Sequence, residues 1–84
     1  MSSIEKLRQE LKSRPHTFNW NDIKRVIKDA GYVESKGGKT AGSRVRFTHT
    51  TAASIVLHKP HPGNEMKSYA IRLVVDMLEA EGLI

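Results

Sequence analysis

The hydrophobic period of this chain changes at Gly31, and that change limits which elements it can form. Before Gly31, apolar residues recur at helical spacing. Ile4, Leu7 and Leu11 form a first stripe that Pro15 stops, and Ile23, Val26, Ile27 and Ala30 form a second. After Gly31, apolar and polar residues alternate in the short runs "YVESK", "SRVRFTH" and "ASIVLHK". The helical period returns near the end, where Ile71, Val74, Val75 and Leu78 share one face. The expected order is helix, helix, three strands, helix.

Local signals sharpen these bounds. Ser3 is placed to cap the first helix. Asn19 is placed to cap the second, with Asp22 at the third helical position in an approximate capping box. Phe18 and Ile23 then have the spacing of a hydrophobic staple, and Gly31 supplies a left-handed stop. Between the third strand and the last helix, "KPHPGNE" forbids regular structure. Asn64 is expected to cap the last helix, with Met66 and Met77 as ordinary helix residues and Gly82 closing it. Trp20 and Tyr32 read as edges of the core rather than as base-stacking platforms.

Three short strands joined by tight connections make an antiparallel meander, and amphipathic helices must cover one of its faces. On the middle strand Val45 and Phe47 point to that covered face, which leaves Arg44 and Arg46 on the open one. The fold class is α+β, a three-stranded antiparallel sheet with helices packed on one face, and an extra N-terminal helix. At 84 residues the chain is expected to be a single domain, 1–84, with one modest core.

The charge is localised. The chain carries a net charge of +5, yet no acidic residue lies between Glu34 and Glu65. That interval holds Lys36, Lys39, Arg44, Arg46 and Lys59, with His49, His58 and His61. The remaining basic and acidic residues balance, so the excess is a cationic middle rather than a generally basic surface. Such a concentration favours a polyanionic partner, nucleic acid first, over a merely solvated face. The charged N-terminus lacks the apolar stretch of a signal peptide, and no apolar run approaches membrane-spanning length. No membrane contact and a cytoplasmic location are expected.

The stretch "GGKT" is not a phosphate loop. That motif needs a glycine where Val33 stands, a strand before it and a helix after it, whereas here a strand follows. Gly37, Gly38 and Gly42 instead make a connection between strands that presents Lys39 to backbone phosphates. The chain has no cysteine, and His49, His58 and His61 have no recurrent ligand spacing, so no metal and no cofactor are expected. Imidazoles beside fixed cations suit another chemistry. RNA carries its own nucleophile, the 2′-hydroxyl, and a histidine can move its proton while Arg or Lys stabilises the charged phosphorus centre. RNA cleavage and plain RNA binding both fit these residues.

The combination of "AGY" at the end of a helix, "KGG" then "GSR" before the middle strand, "PHPG" before the last helix and "LEAEGL" near the end resembles the HicA family of prokaryotic toxins. The resemblance runs from about Asn19 to Ile84. It implies a fold like the double-stranded RNA-binding domain, metal-free cleavage of mRNA, and inhibition by a HicB-type antitoxin. The family's Gly-Ser-His motif is matched by Gly42 and Ser43, but its catalytic histidine position is Arg44. Arginine stays protonated and cannot act as a general base, although it can bind phosphate. The later Pro-His-x-Gly element is matched by Pro60, His61, Pro62 and Gly63, and the lysine after it by Lys67. The resemblance therefore leaves two readings. In one, His61 with His49 or His58, helped by Arg44 and Lys59, performs a rearranged cleavage. In the other, the protein binds RNA or its antitoxin without cutting. The RNA-contacting residues are Lys36, Lys39, Arg44, Arg46, Lys59 and Lys67 in either case. The first helix departs from the family pattern, and either completes the core or contacts a partner.

Overall fold

The first two helices of the computed structural model, which describes residues 3–35, 44–60 and 63–84, are positioned by the turn chemistry at their ends. Helix α1 spans Ile4–Lys12, and the Ser3 hydroxyl accepts from the Lys6 N–H at 3.2 Å. Strand β1 is Thr17–Asn19 and helix α2 is Trp20–Asp29. Asn19 caps α2, its Oδ1 accepting from the N–H groups of Asn21 at 2.9 Å and Asp22 at 3.3 Å. At the far end Gly31 N–H donates to Lys28 C=O and Tyr32 N–H to Ile27 C=O, the paired bonds of a Schellman stop. Gly31 has φ +106°, a value that an L side chain rarely takes.

Strands β2 (Val33–Ser35), β3 (Arg44–Thr48) and β4 (Ile55–His58) follow, paired antiparallel in the order β2-β3-β4. Strand β5 (Glu65–Lys67) and helix α3 (Ser68–Ala80) complete the chain. The three-stranded meander, the helices and the α+β class are those expected from the sequence.

Two differences bear on the site. Strands β1 and β5 are additions to the expected order. They pair antiparallel, Phe18 opposite Met66 and Asn19 opposite Glu65, and tie the start of α2 to the start of α3. Three-residue strands are too short to show alternation, which is why their pattern is silent in the sequence. Second, Asn64 does not cap the last helix. Its carbonyl accepts from the Trp20 N–H at 2.6 Å, and α3 begins at Ser68 with no side-chain cap. Met66 is accordingly a buried strand residue, and Met77 alone of the pair lies in the helix.

The core lies between the inner sheet face and the helices. Phe47, Ile55, Ile23, Ile27, Ile71, Val74, Val75 and Leu78 are all fully buried. Burial of each such side chain contributes about 1.5–3 kcal/mol against chain entropy. Trp20 meets Phe47 edge to face at 6.5 Å between ring centres. Helix α1 completes this core, because Leu7 and Leu11 are buried in it and Ile4 packs against it. Ion pairs fasten α1 from outside: Arg8 to Asp29, and Arg14 to Asp76 and Glu79. Hydrogen bonds from Arg14 to Asp76 and then Glu79 raise the guanidinium's proton affinity further.

Candidate nucleic-acid interface

Strand alternation decides what the open sheet face carries. Phe47, Ile55 and Leu57 are buried against the helices, so Arg44, Arg46, Val56 and His58 take the opposite side and are exposed. The register sets Arg44 directly opposite His58, and Arg46 between Ser35 and Val56. Side chains directly opposite on adjacent strands start about 4.5–5.5 Å apart at Cβ. A guanidinium and an imidazole therefore share one small patch.

The charge balance of that patch differs from that of the helices. Arg8 and Arg14 pair with carboxylates, and Lys24 and Lys28 both reach Glu34 Oε1, at 3.3 and 3.2 Å. Glu34 sits opposite Phe47 and so leans to the helix side. Burial there opposes its ionisation, but hydrogen bonds from Lys28 and Lys24 outweigh it and hold the carboxyl below its ordinary range. Among the described residues, no carboxylate lies within ion-pair distance of Arg44, Arg46, Lys59 or Lys67. The field of this face is positive and not internally compensated.

The face continues round the outer edge of β4. Between that edge, β5 and the first turns of α3 lies a groove of about 500 Å³. Its walls include His58, Lys59, Lys67, Val56, Tyr69 and Leu73. The first turn of α3 has neither a side-chain cap nor an acidic residue, so the positive end of its dipole adds to the same edge.

Of the residues singled out in the sequence, Arg44, Arg46 and His58 meet on the open face, and Lys59 and Lys67 border the groove beside it. Lys36, Lys39 and His61 lie outside the described residues. His49 is elsewhere. It follows the far end of β3, roughly 17 Å from Arg44 at about 3.4 Å per residue. Its Nδ1 accepts from the N–H groups of Thr51 and Ala52, each at 3.1 Å, and its ring meets Tyr32 edge to face at 4.9 Å. Tyr32 in turn donates its hydroxyl to Ala53 C=O at 2.8 Å, and burial, then the Glu81 charge, raises its phenol pKa. His49 is a structural residue of the β3–β4 turn.

Tyr69 was not among the expected site residues. It is 70% exposed and falls off the buried stripe of Ile71, Val74, Val75 and Leu78, which was its only signal in the sequence.

This arrangement, a meander with helices on one face and cations on the other, occurs in a segment that matches a family model described as the HicA toxin of bacterial toxin–antitoxin systems, over residues 20–81. The chain belongs to the HicA toxin family. Membership makes it the toxin type of a toxin–antitoxin pair and implies an antitoxin partner. The HicA match begins at Trp20, so α1 and β1 precede the matched segment. Neither a curated protein nor a solved structure matches the chain. None of the described helices is long and apolar enough to cross a membrane.

Proposed function

We propose that this HicA-family protein is a metal-independent mRNA endoribonuclease, held inactive by a HicB-type antitoxin that covers the cationic sheet face. The observation that carries the reading is the cross-strand pair of Arg44 and His58 on a face without compensating acid. Arg44 binds the scissile phosphate and stabilises the charge that builds on its oxygens. A neutral His58 takes the proton of the 2′-hydroxyl, whose oxygen attacks phosphorus. The bond from phosphorus to the 5′-oxygen breaks, giving a 2′,3′-cyclic phosphate and a 5′-hydroxyl. The leaving oxygen takes its proton from a neighbouring acid, with Lys59 and His61 as the candidates. Arg46 and Lys67 hold flanking phosphates, and Lys36 and Lys39 extend that contact. The chemistry uses an imidazole because it gains or loses a proton near neutral pH.

Arg44 at the family's histidine position supports a second reading, in which the fold binds RNA or the antitoxin without cutting. End-labelled single-stranded RNA incubated in EDTA separates the two. Cleavage that disappears in Arg44→Ala and His58→Ala supports the nuclease. Intact RNA that shifts in a binding gel, and shifts less with Arg44→Ala, supports the binding module.

A further inference from the structure

The groove beside β4 contains more apolar surface than a phosphate track requires. Tyr69 is 70% exposed, Leu73 47% and Val56 43%. Tyr69 and Leu73 are four residues apart on α3 and so lie on one face of it, with Val56 on the strand wall of the same groove. These are three of the four exposed large hydrophobic residues among those described. Their rim is cationic, with Lys59 and Lys67 against the single carboxylate of Glu65. A volume of about 500 Å³ is in the range that takes a small organic ligand.

We propose that the groove is a nucleobase subsite, in which an unpaired base next to the scissile phosphate stacks on Tyr69 between Leu73 and Val56. The proposal rests on the RNA reading given above. Charge and continuity select this occupant. His58 belongs both to the open face and to the groove wall, so a strand whose phosphate lies on Arg44 passes directly to the groove. Lys59 and Lys67 then meet its next phosphates. Single-stranded RNA is the polyanion that also presents flat apolar faces, and an aromatic ring among cations is how such strands are held. Purines stack more strongly than pyrimidines, so the subsite favours a purine.

The test uses short single-stranded RNA with 2′-O-methyl riboses, which cannot cyclise, and a parallel set with one abasic position moved along the strand. Binding is followed by fluorescence anisotropy at several salt concentrations for wild type, Tyr69→Phe, Tyr69→Ala and Arg46→Ala. Circular dichroism checks that each variant is folded. Tyr69→Ala is expected to weaken binding roughly five- to a hundredfold without changing the salt slope, and Tyr69→Phe to bind as wild type. One abasic position is expected to cost nothing further in Tyr69→Ala, because base and ring have already been parted. Wild-type affinity in Tyr69→Ala, with weakened binding in Arg46→Ala, overturns the subsite and leaves the RNA reading standing. Absence of RNA binding by wild type overturns both. Loss of the antitoxin complex in Tyr69→Ala, with RNA binding intact, makes the groove a protein-docking face and also overturns the subsite.

Discussion

Replacing Gly31 by alanine tests whether His49 belongs to the scaffold or to the chemistry. The Cβ added at Gly31 would lie 2.8 Å from His49 Nε2 and 3.2 Å from its Cδ2. The ring cannot turn away freely, because its Nδ1 holds the backbone N–H groups of Thr51 and Ala52. Giving up those bonds costs about 0.5–1.5 kcal/mol each. The backbone adds strain, since φ is +106° at Gly31 and a non-glycine residue in such a region costs about 1–3 kcal/mol. The sum is about 2–6 kcal/mol, set against a total stability of about 4–13 kcal/mol for a chain of this length. Trp20, the single tryptophan, is buried against Phe47 and reports urea unfolding. In Gly31→Ala with His49→Ala the steric part vanishes and the backbone part remains. The double variant is therefore expected to be about 1–3 kcal/mol more stable than the sum of the single changes implies. RNA cleavage per folded molecule is expected to be unchanged in His49→Ala. Additive single effects, or a catalytic loss in a fully folded His49→Ala, would refute this reasoning.

Three other outcomes follow from the same structure. Arg44→His sets a second imidazole opposite His58 and is expected to raise the metal-free cleavage rate at least about tenfold, toward the 10²–10⁴ typical of acid–base catalysis. Leu11→Ala opens a cavity at a fully buried position and is expected to cost about 2–5 kcal/mol in urea denaturation, more than Ile4→Ala at its partly buried site. Glu34→Gln is expected to lower stability at pH 7 by about 0.2–1 kcal/mol. The folded pKa of Glu34 is depressed, so its contribution is present above the ordinary carboxylate value of 4.5 and is lost as pH falls through the folded value. Thermal melts of the two proteins at descending pH are expected to converge below that window.

What the sequence revealed depended on the length of each signal. The stripe from Ile23 to Ala30 and the alternation from Arg44 to Phe47 each run over about two periods, so helix, strand and open face were legible from spacing alone. The Asn19 signal also held, since a cap needs only its own residue and the N–H groups above it. Strand β5 was not legible. Met66 is apolar at a helix-compatible position, and only its pairing with Phe18 across the molecule makes the segment extended. The same pairing takes Asn64 from its expected cap to a backbone bond with Trp20. Within the site, composition pointed to Arg44, Arg46 and His58, but register was needed to set Arg44 opposite His58. Short-range spacing cannot separate His49 from His58, because the distance between them is created by the β3–β4 pairing.

The single-turnover cleavage rate of His58→Ala on bound RNA in EDTA, with product ends resolved chemically, reports whether the imidazole opposite Arg44 moves the proton. Wild type is expected to yield 2′,3′-cyclic phosphate and 5′-hydroxyl ends. His58→Ala is expected to bind RNA within about threefold of wild type yet cleave it at least about a hundredfold more slowly. An unchanged rate in His58→Ala would contradict the assignment of the imidazole opposite Arg44 as the group that moves the proton.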